Sequence, residues 1–373
     1  MRKLPNPAIL DNLVEIRKVD KSDMLSFCLD AYKHYEKAAK LAEAVSVNYS
    51  RPQTIIVAGM GGSAIGGELL KDWANARIAI PIEVCREYSL PAYANKNTLV
   101  FVASYSGETE ESLSVFLDAL RRKCMIVCVS SGGKLSEFAE RLNIPHLRVP
   151  SGMAPRATLP YLFVPLLVFS EKLSLASNVD LEISEAIRVL KRICGENSPK
   201  RSLASNFCKT LASNINGTVP VVYGFGVYRG VAQRFKTQFN ENSKVPAKWE
   251  FFPELNHNEI VGWEEVRNLA NCFSIIFLRD KTEASGMKER IEATRELMRE
   301  ASLKLFEVWS NGDSVLAKMS SVISIGDFTS VYLAVLRGVD PTPVKTIDVL
   351  KEKISQSGLK KKIIGELEKL TKQ

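Results

Sequence analysis

The sequence predicts an α/β protein with two domains, each a mainly parallel sheet flanked by helices in three layers. Three observations carry this. The chain has 373 residues, more than one ordinary domain holds and comfortable for two. Short apolar runs of strand length alternate with amphipathic helical stretches through brief connections, the pattern of a parallel sheet covered on both faces. A strand–glycine turn–helix order seen at 54–75 returns at 219–238, which reads as a structural duplication of about 150 residues per copy.

In chain order, residues 1–50 read as N-terminal helices packing on the first domain, with Leu25, Cys28, Leu29 and Tyr32 at helical spacing. Residues 51–158 form the first domain. Its strands are expected at Thr54–Ala58, Ile80–Cys85, Thr98–Ala103, Met125–Val129 and His146–Val149, and its helices at Ile65–Asn75, from Ser104–Glu111 on through Arg122, and at Leu135–Leu142. Residues 159–200, punctuated by Pro160 and Pro165, read as a helical connector. The alternation restarts in a second domain, 201–340. Strands are expected at Val219–Tyr223, Lys248–Glu250, Cys272–Leu278 and Phe306–Trp309, and helices at Gly230–Gln238, Lys288–Glu300 and Val315–Tyr332. A C-terminal helix closes the chain at 341–373.

Hydrophobic residues make up 46% and charged residues 25%, the mix of a globular protein with a normal core. The first 26 residues lack the apolar run of a signal peptide. The longest apolar stretch found, Tyr161–Phe169, falls well short of the roughly 18 residues a membrane helix needs. The chain reads as cytoplasmic, with no membrane partner. Its seven cysteines are scattered without a CxxC spacing and read as reduced thiols. Three histidines far apart in sequence argue against a metal site. The net charge of +8 is spread out, and Lys360-Lys361-Lys362 is interleaved with Glu366 and Glu368 as on a solvated helix face. A diffuse positive field suits small anionic metabolites, so no nucleic acid partner is expected.

Two segments carry chemistry. Gly59-Met60-Gly61-Gly62-Ser63-Ala64-Ile65-Gly66-Gly67 follows a strand and leads into a helix. Small residues there admit an anion to free amides at a helix N-terminus, where the dipole favours negative charge, and Ser63 adds a hydroxyl. Gly59, Gly61 and Ala64 also fit the dinucleotide fingerprint, with Glu83 or Glu87 about twenty residues on as the ribose-binding acid. Ser104-Tyr105-Ser106-Gly107-Glu108-Thr109 favours the other reading. Ser106 or Thr109 alone would serve as a helix cap. Three hydroxyls within six residues, ahead of a helix, exceed what capping needs and make a cradle for a terminal phosphate.

GMGGSAIGG followed by SYSGETEE resembles the SIS phosphosugar-binding domains and, more narrowly, the bifunctional phosphoglucose/phosphomannose isomerases. The resemblance continues in order through GMAPR (152–156), FNENSK (239–244), ELNHNEIVGW (254–263) and DPTPVK (340–345), across most of the chain. It implies two SIS-type domains and an aldose–ketose isomerase that interconverts glucose 6-phosphate with fructose 6-phosphate through an enediol, with mannose 6-phosphate as a second expected substrate. The phosphate would be held by Gly61, Gly62, Ser63, Ser104, Ser106 and Thr109, and Pro155 would line the substrate. Glu241 matches the family's proton-shuttling glutamate, and Arg156 would stabilise the enediolate with a charge it keeps when desolvated. His257 and Lys345 would open the sugar ring, with Lys351 as the alternative lysine. The family supplies this histidine from the neighbouring subunit, which implies a homodimer. The sequence leaves open whether His257 serves its own site or the partner's. No cofactor or metal is implied: acid–base groups contributing about 10²–10⁴-fold each, with one charge donor adding about 10²–10³-fold, suffice.

Two other classes are consistent with parts of the sequence. A non-catalytic phosphosugar-binding regulator would keep the hydroxyls but has no use for Glu241, His257 and Lys345. An NAD(P)-dependent oxidoreductase rests on the fingerprint at Gly59–Ala64 alone. An aminotransferase related by fold would need a glutamine-hydrolysing domain with an early nucleophilic cysteine, which the start of this sequence does not show.

Overall fold

Parallel β-strands that are covered on both faces read as unbroken apolar runs, and the runs TLVFVA and MIVCVS form strands buried along their whole length. The computed structural model describes residues 6–372. Three short helices come first: α1 (Leu13–Val19), α2 (Met24–Leu29) and α3 (Ala31–Glu43). There follow β1 (Thr54–Ala58), α4 (Gly62–Ala74), β2 (Ile82–Cys85), β3 (Thr98–Ala103), α5 (Glu110–Arg121), β4 (Met125–Ser130), α6 (Gly133–Arg141), β5 (His146–Arg148), α7 (Leu159–Lys172) and α8 (Val179–Glu196). The second series is α9 (Phe207–Ile215), β6 (Val219–Phe225), α10 (Arg229–Gln238), β7 (Lys248–Phe252), β8 (Phe273–Arg279), α11 (Ser285–Glu300), β9 (Lys304–Trp309) and α12 (Val315–Leu336), then α13 (Lys345–Ser355) and α14 (Leu359–Leu370).

The chain divides into two compact units, and neither is continuous in sequence. The first-sheet unit holds Lys33–Ile183 and the segment from Val344 on, and the second-sheet unit holds the segment up to Tyr32 and Ser184–Pro343. In the first unit the strand order is β2-β1-β3-β4-β5, all parallel. One sheet face, with Ile56, Val100, Val102, Ile126 and Cys128, packs on Leu113 and Phe116 of α5, Phe138 of α6, and Ile363 and Leu367 of α14. The other face meets α4 and α7. A Cβ on Gly67 would lie 2.8 Å from Val57 Cβ, and one on Gly66 would collide with the Leu162 carbonyl oxygen of α7, so these two glycines serve helix packing. Phe101 stacks on Phe169, with ring centroids 6.2 Å apart.

The second-sheet unit repeats the topology as β7-β6-β8-β9, again all parallel. Val221, Tyr223, Ile275 and Phe277 pack on Ile291 and Met298 of α11 and on Leu255, Trp263 and Val266 of the turns between β7 and β8. Within this unit α12 packs on α9, α10 and α2. It is long and apolar enough to cross a membrane by composition, yet 94% of its most apolar window is buried in the protein. Its apolar run escaped notice in the sequence because serines and threonines interrupt it. In the structure Ser321, Thr329 and Ser330 bond back into the helix, with Ser321 Oγ to Lys318 O at 2.7 Å and Thr329 Oγ1 to Ile325 O at 2.7 Å.

This division departs from the linear expectation at three points. The helices α1 and α2 pack with α12 of the second-sheet unit rather than with the first domain, because Leu10, Ile16, Met24 and Leu25 find their burial there. The stretch 159–200 is no connector. Helix α7 is buried along almost its whole length and forms part of the first unit's core, and the unit boundary falls inside α8. The C-terminal region is two helices, parted at Gly358 (φ 71°), and α14 returns to pack on α5.

Leu367 is fully buried. Leu367→Ala is expected to destabilise the protein by about 2–5 kcal/mol in urea melts, although the residue lies in the last helix. His146 is wedged between Ser130 Oγ (2.8 Å from Nε2) and Ser136 Oγ (3.4 Å from Nδ1). Burial lowers its pKa, with Arg148 adding and Glu140 opposing. The unfolded chain then binds this proton at higher pH than the folded one. Its contribution to stability is complete above about pH 6.5 and is lost as the pH falls below that value. Melts of wild type and His146→Gln between pH 7.5 and 5 should show that component only in the wild type.

Candidate active site

In an open parallel sheet, ligands bind outside the carboxyl ends of the strands, where the strand order reverses. In the first-sheet unit that point lies between β1 and β3, and both singled-out segments emerge there. After β1 the chain turns through Gly61 (φ 50°, ψ −119°), where an added Cβ would meet nothing, and α4 begins at Gly62. Gly62 is pressed against the turn carrying Pro155, whose carbonyl oxygen would lie 3.0 Å from an added Cβ. Ser63 N bonds to Met60 O at 2.9 Å, so that amide is taken. The Ser63 hydroxyl accepts from Tyr105 N at 3.3 Å and keeps its own proton to give.

After β3 the chain makes a tight turn before its helix. Helix α5 starts at Glu110, later than the hydroxyl run led one to expect, because Gly107 takes φ 67°. Ser104 is 1% exposed and donates to Thr109 Oγ1 at 3.0 Å. Thr109 stands at the N-cap of α5 and uses its oxygen to accept from Ser104, which leaves its own proton for an incoming oxygen. Ser106 is exposed, and its hydroxyl accepts from Glu108 N at 3.2 Å, again leaving its proton. Ser63, Ser106 and Thr109 thus supply hydroxyl protons beside the first-turn amides of α5, which have no partner within the helix. That donor set suits an anion. Glu108 braces the turn from outside, accepting from Lys134 N at 2.8 Å and pairing with Lys360 of α14 at 2.6 Å. Arg156 follows on the adjoining turn, Pro155–Thr158, and is 3% exposed, while Pro155 is exposed.

The other predicted residues are placed as follows. Glu241 lies half-buried in a π-helical turn, Phe239–Ser243, at the end of α10 in the second-sheet unit. That turn is clamped to α12: Asn242 Nδ2 donates to Ser330 Oγ (2.9 Å), Ser243 Oγ to Ser330 O (2.6 Å), and Arg337 Nε to Ser243 O (3.0 Å). Such turns are frequent at functional sites. His257, in the same unit, is exposed and has no hydrogen-bond partner among the described residues, but its loop is firmly held. Asn256 Nδ2 bonds Thr294 Oγ1 at 2.8 Å, and Glu259 accepts from Tyr223 Oη at 2.8 Å and pairs with Lys248. Lys345 and Lys351 are both exposed on α13, so exposure does not choose between them.

Tyr223, Glu259 and Tyr105 were not singled out from the sequence. Tyr223 lies in an apolar strand run, and Tyr105 stands between the hydroxyls Ser104 and Ser106, so the local pattern marks neither. Glu83, one of the two acids expected for a ribose, accepts from Tyr93 Oη, and the strand order differs from the 3-2-1-4-5-6 of dinucleotide sheets. The loop after β8, which corresponds by topology to the cradle, is closed by the protein's own charges. Asp280 accepts from Tyr228 Oη (2.7 Å), Thr282 N (2.8 Å) and Thr282 Oγ1 (2.9 Å) and pairs with Lys318 (3.3 Å). Burial works to raise its pKa, but these donors outweigh that and hold the carboxyl below its usual value.

Residues 204–354 match the family described as the bacterial phospho-glucose isomerase C-terminal SIS domain. A bifunctional phosphoglucose/phosphomannose isomerase of Caldicellulosiruptor bescii is 40% identical over 324 residues, 86% of this chain and 96% of that protein. One from Aquifex aeolicus is 34% identical over 81% of this chain and 90% of its own length. Among solved structures, a hypothetical protein of Thermus thermophilus superimposes with a TM-score of 0.70 at 16% identity, covering 89% of this chain and 90% of that one.

The cradle depends on Gly107, where a side chain would be both strained and in collision with Gly132 O. Strain of about 1–3 kcal/mol corresponds to a loss of roughly 5- to 150-fold in binding. Gly107→Ala should weaken competitive inhibition by inorganic phosphate by that factor.

Proposed function

The chain belongs to the family of bifunctional phosphoglucose/phosphomannose isomerases, and we propose that it interconverts glucose 6-phosphate and mannose 6-phosphate with fructose 6-phosphate by proton transfer through an enediol. The observation that carries this reading is the donor cradle at the strand-order reversal of the first sheet, in a chain that also keeps Arg156, Glu241 and His257 in their family settings.

In this reading Ser63, Ser106, Thr109 and the first amides of α5 hold the phosphate, and Ser104 orients Thr109 through their shared bond. The phosphate fixes the sugar, and binding energy from this remote group goes into positioning the reacting carbons. Glu241 carries the proton between C1 and C2. Its turn is clamped to α12, which suits a base that must stay within hydrogen-bond reach of two carbons. Arg156 offsets the charge that develops on the enediolate oxygens. His257 opens the ring together with Lys345 or Lys351. An exposed imidazole on a rigid loop is what a residue offered to a neighbouring subunit requires, and this supports the homodimer reading. Lys345, in the first turn of α13, gains nothing from the helix dipole, which disfavours a cation there, and a functional role accounts for the placement.

The experiment follows fructose 6-phosphate formation from each sugar phosphate after EDTA treatment, with Glu241→Gln alongside. Wild type should turn over both sugars. The variant should keep sugar-phosphate binding and lose roughly 10²–10⁴-fold in kcat. Binding of both sugars with no turnover would defeat the isomerase reading in favour of a phosphosugar-binding regulator.

A further inference from the structure

Tyr105 sits between two hydroxyl residues of the cradle, yet its own contacts run outward to three other loops. Its amide donates to Ser63 Oγ at 3.3 Å, in the first turn of α4 just past the loop after β1. Its carbonyl oxygen accepts from Ser131 N at 2.8 Å and from Ser131 Oγ at 2.7 Å, on the loop after β4. Its phenol oxygen accepts from Met153 N at 2.9 Å and donates to Pro150 O at 3.1 Å, on the loop after β5 that leads into Pro155–Arg156. The residue is 8% exposed. Burial pushes the phenol up, so it stays protonated in the neutral range and can give one bond while taking another.

These contacts separate by atom. The main chain of Tyr105 binds the two loops that shape the cradle, and any residue with this backbone would keep those bonds. Only the hydroxyl reaches the loop that carries Arg156. That loop is irregular from Pro150 to Ala154, and Ser151 and Gly152 are exposed, while Arg156 three residues past Met153 is buried. We propose that Tyr105 is a positioning residue whose hydroxyl sets the Arg156 loop relative to the phosphate cradle. The inference rests on the isomerase reading for what Arg156 does, and on geometry alone for what Tyr105 holds.

Removing the hydroxyl should therefore spare phosphate binding and slow the chemistry. In the full-length protein, Tyr105→Phe should leave the inhibition constant of inorganic phosphate within about twofold and lower kcat roughly 10- to 100-fold, the scale of an ångström-sized misplacement. In an Arg156→Lys background the same substitution should cost far less, since the two act through one group. Hydrogen exchange supplies a readout that needs no turnover: amides of 150–157 should exchange faster in Tyr105→Phe, with 59–65 and 104–112 unchanged. Unchanged exchange at 150–157 overturns the inference whatever the activity. So does an unchanged kcat, a parallel loss of kcat and phosphate affinity, or additive effects with Arg156→Lys. A wild type that binds sugar phosphates without isomerising them would sink the functional reading instead, and the exchange data would still judge Tyr105.

Discussion

The left-handed turn at Gly107 is the constraint on which the first-sheet unit's binding end depends. Its amide bonds Ser104 O at 2.9 Å, and its carbonyl oxygen accepts from Leu135 N, in the first turns of α6, at 3.0 Å. A single backbone conformation thereby joins the end of β3 to the start of α6. It also delays α5 until Glu110, and that delay leaves Ser106 exposed and Thr109 at the N-cap rather than inside a helix. With no Cβ, glycine adopts φ 67° without strain and lets the Gly132 carbonyl approach. Any other residue would have to move one of two strand-end loops.

The two sheets share a topology and have diverged in its use. Both place their central strand beside a later one at the same strand-order reversal. In the first sheet the loops there expose hydroxyls and helix amides. In the second, Asp280 takes up the donors of Tyr228, Thr282 and Lys318, and Arg279, 1% exposed, is held by Glu283, Glu292 and Glu307. A buried carboxylate surrounded by donors is the internal counterpart of a bound anion. In the second-sheet unit the residues singled out by the family resemblance, Glu241 and His257, lie instead in the turn after α10 and the loop after β7. Duplication supplied the frame, and the loops divided the work.

Much of the fold was legible because parallel strands buried on both faces write themselves as apolar runs: β1 and β3 begin and end where the sequence placed them. The hydroxyls of the cradle were legible as well, since their clustering exceeds what helix capping requires. Tyr105 and Tyr223 were not. Tyr223 stands in an apolar run and is ordinary core by pattern, whereas Tyr105 is masked by the hydroxyls around it, and only their partners reveal what the two phenols hold. The five glycines from Gly59 to Gly67 looked alike in sequence. In the structure Gly61 supplies the turn, whereas Gly66 and Gly67 let α4 approach α7 and β1.

By itself, the sequence determined the class of fold, the duplicated order of elements and the family, because these follow from local periodicity and from residue types in a fixed order. Tertiary structure alone decided that α1 and α2 belong with the second sheet, that α14 belongs with the first, that α7 and α12 are core helices, and that one loop set is open to an anion while its counterpart is filled by Asp280. The physical reason is that burial and hydrogen-bond satisfaction are properties of segments brought together from far apart in the chain, and no local pattern specifies which distant surface will complete them.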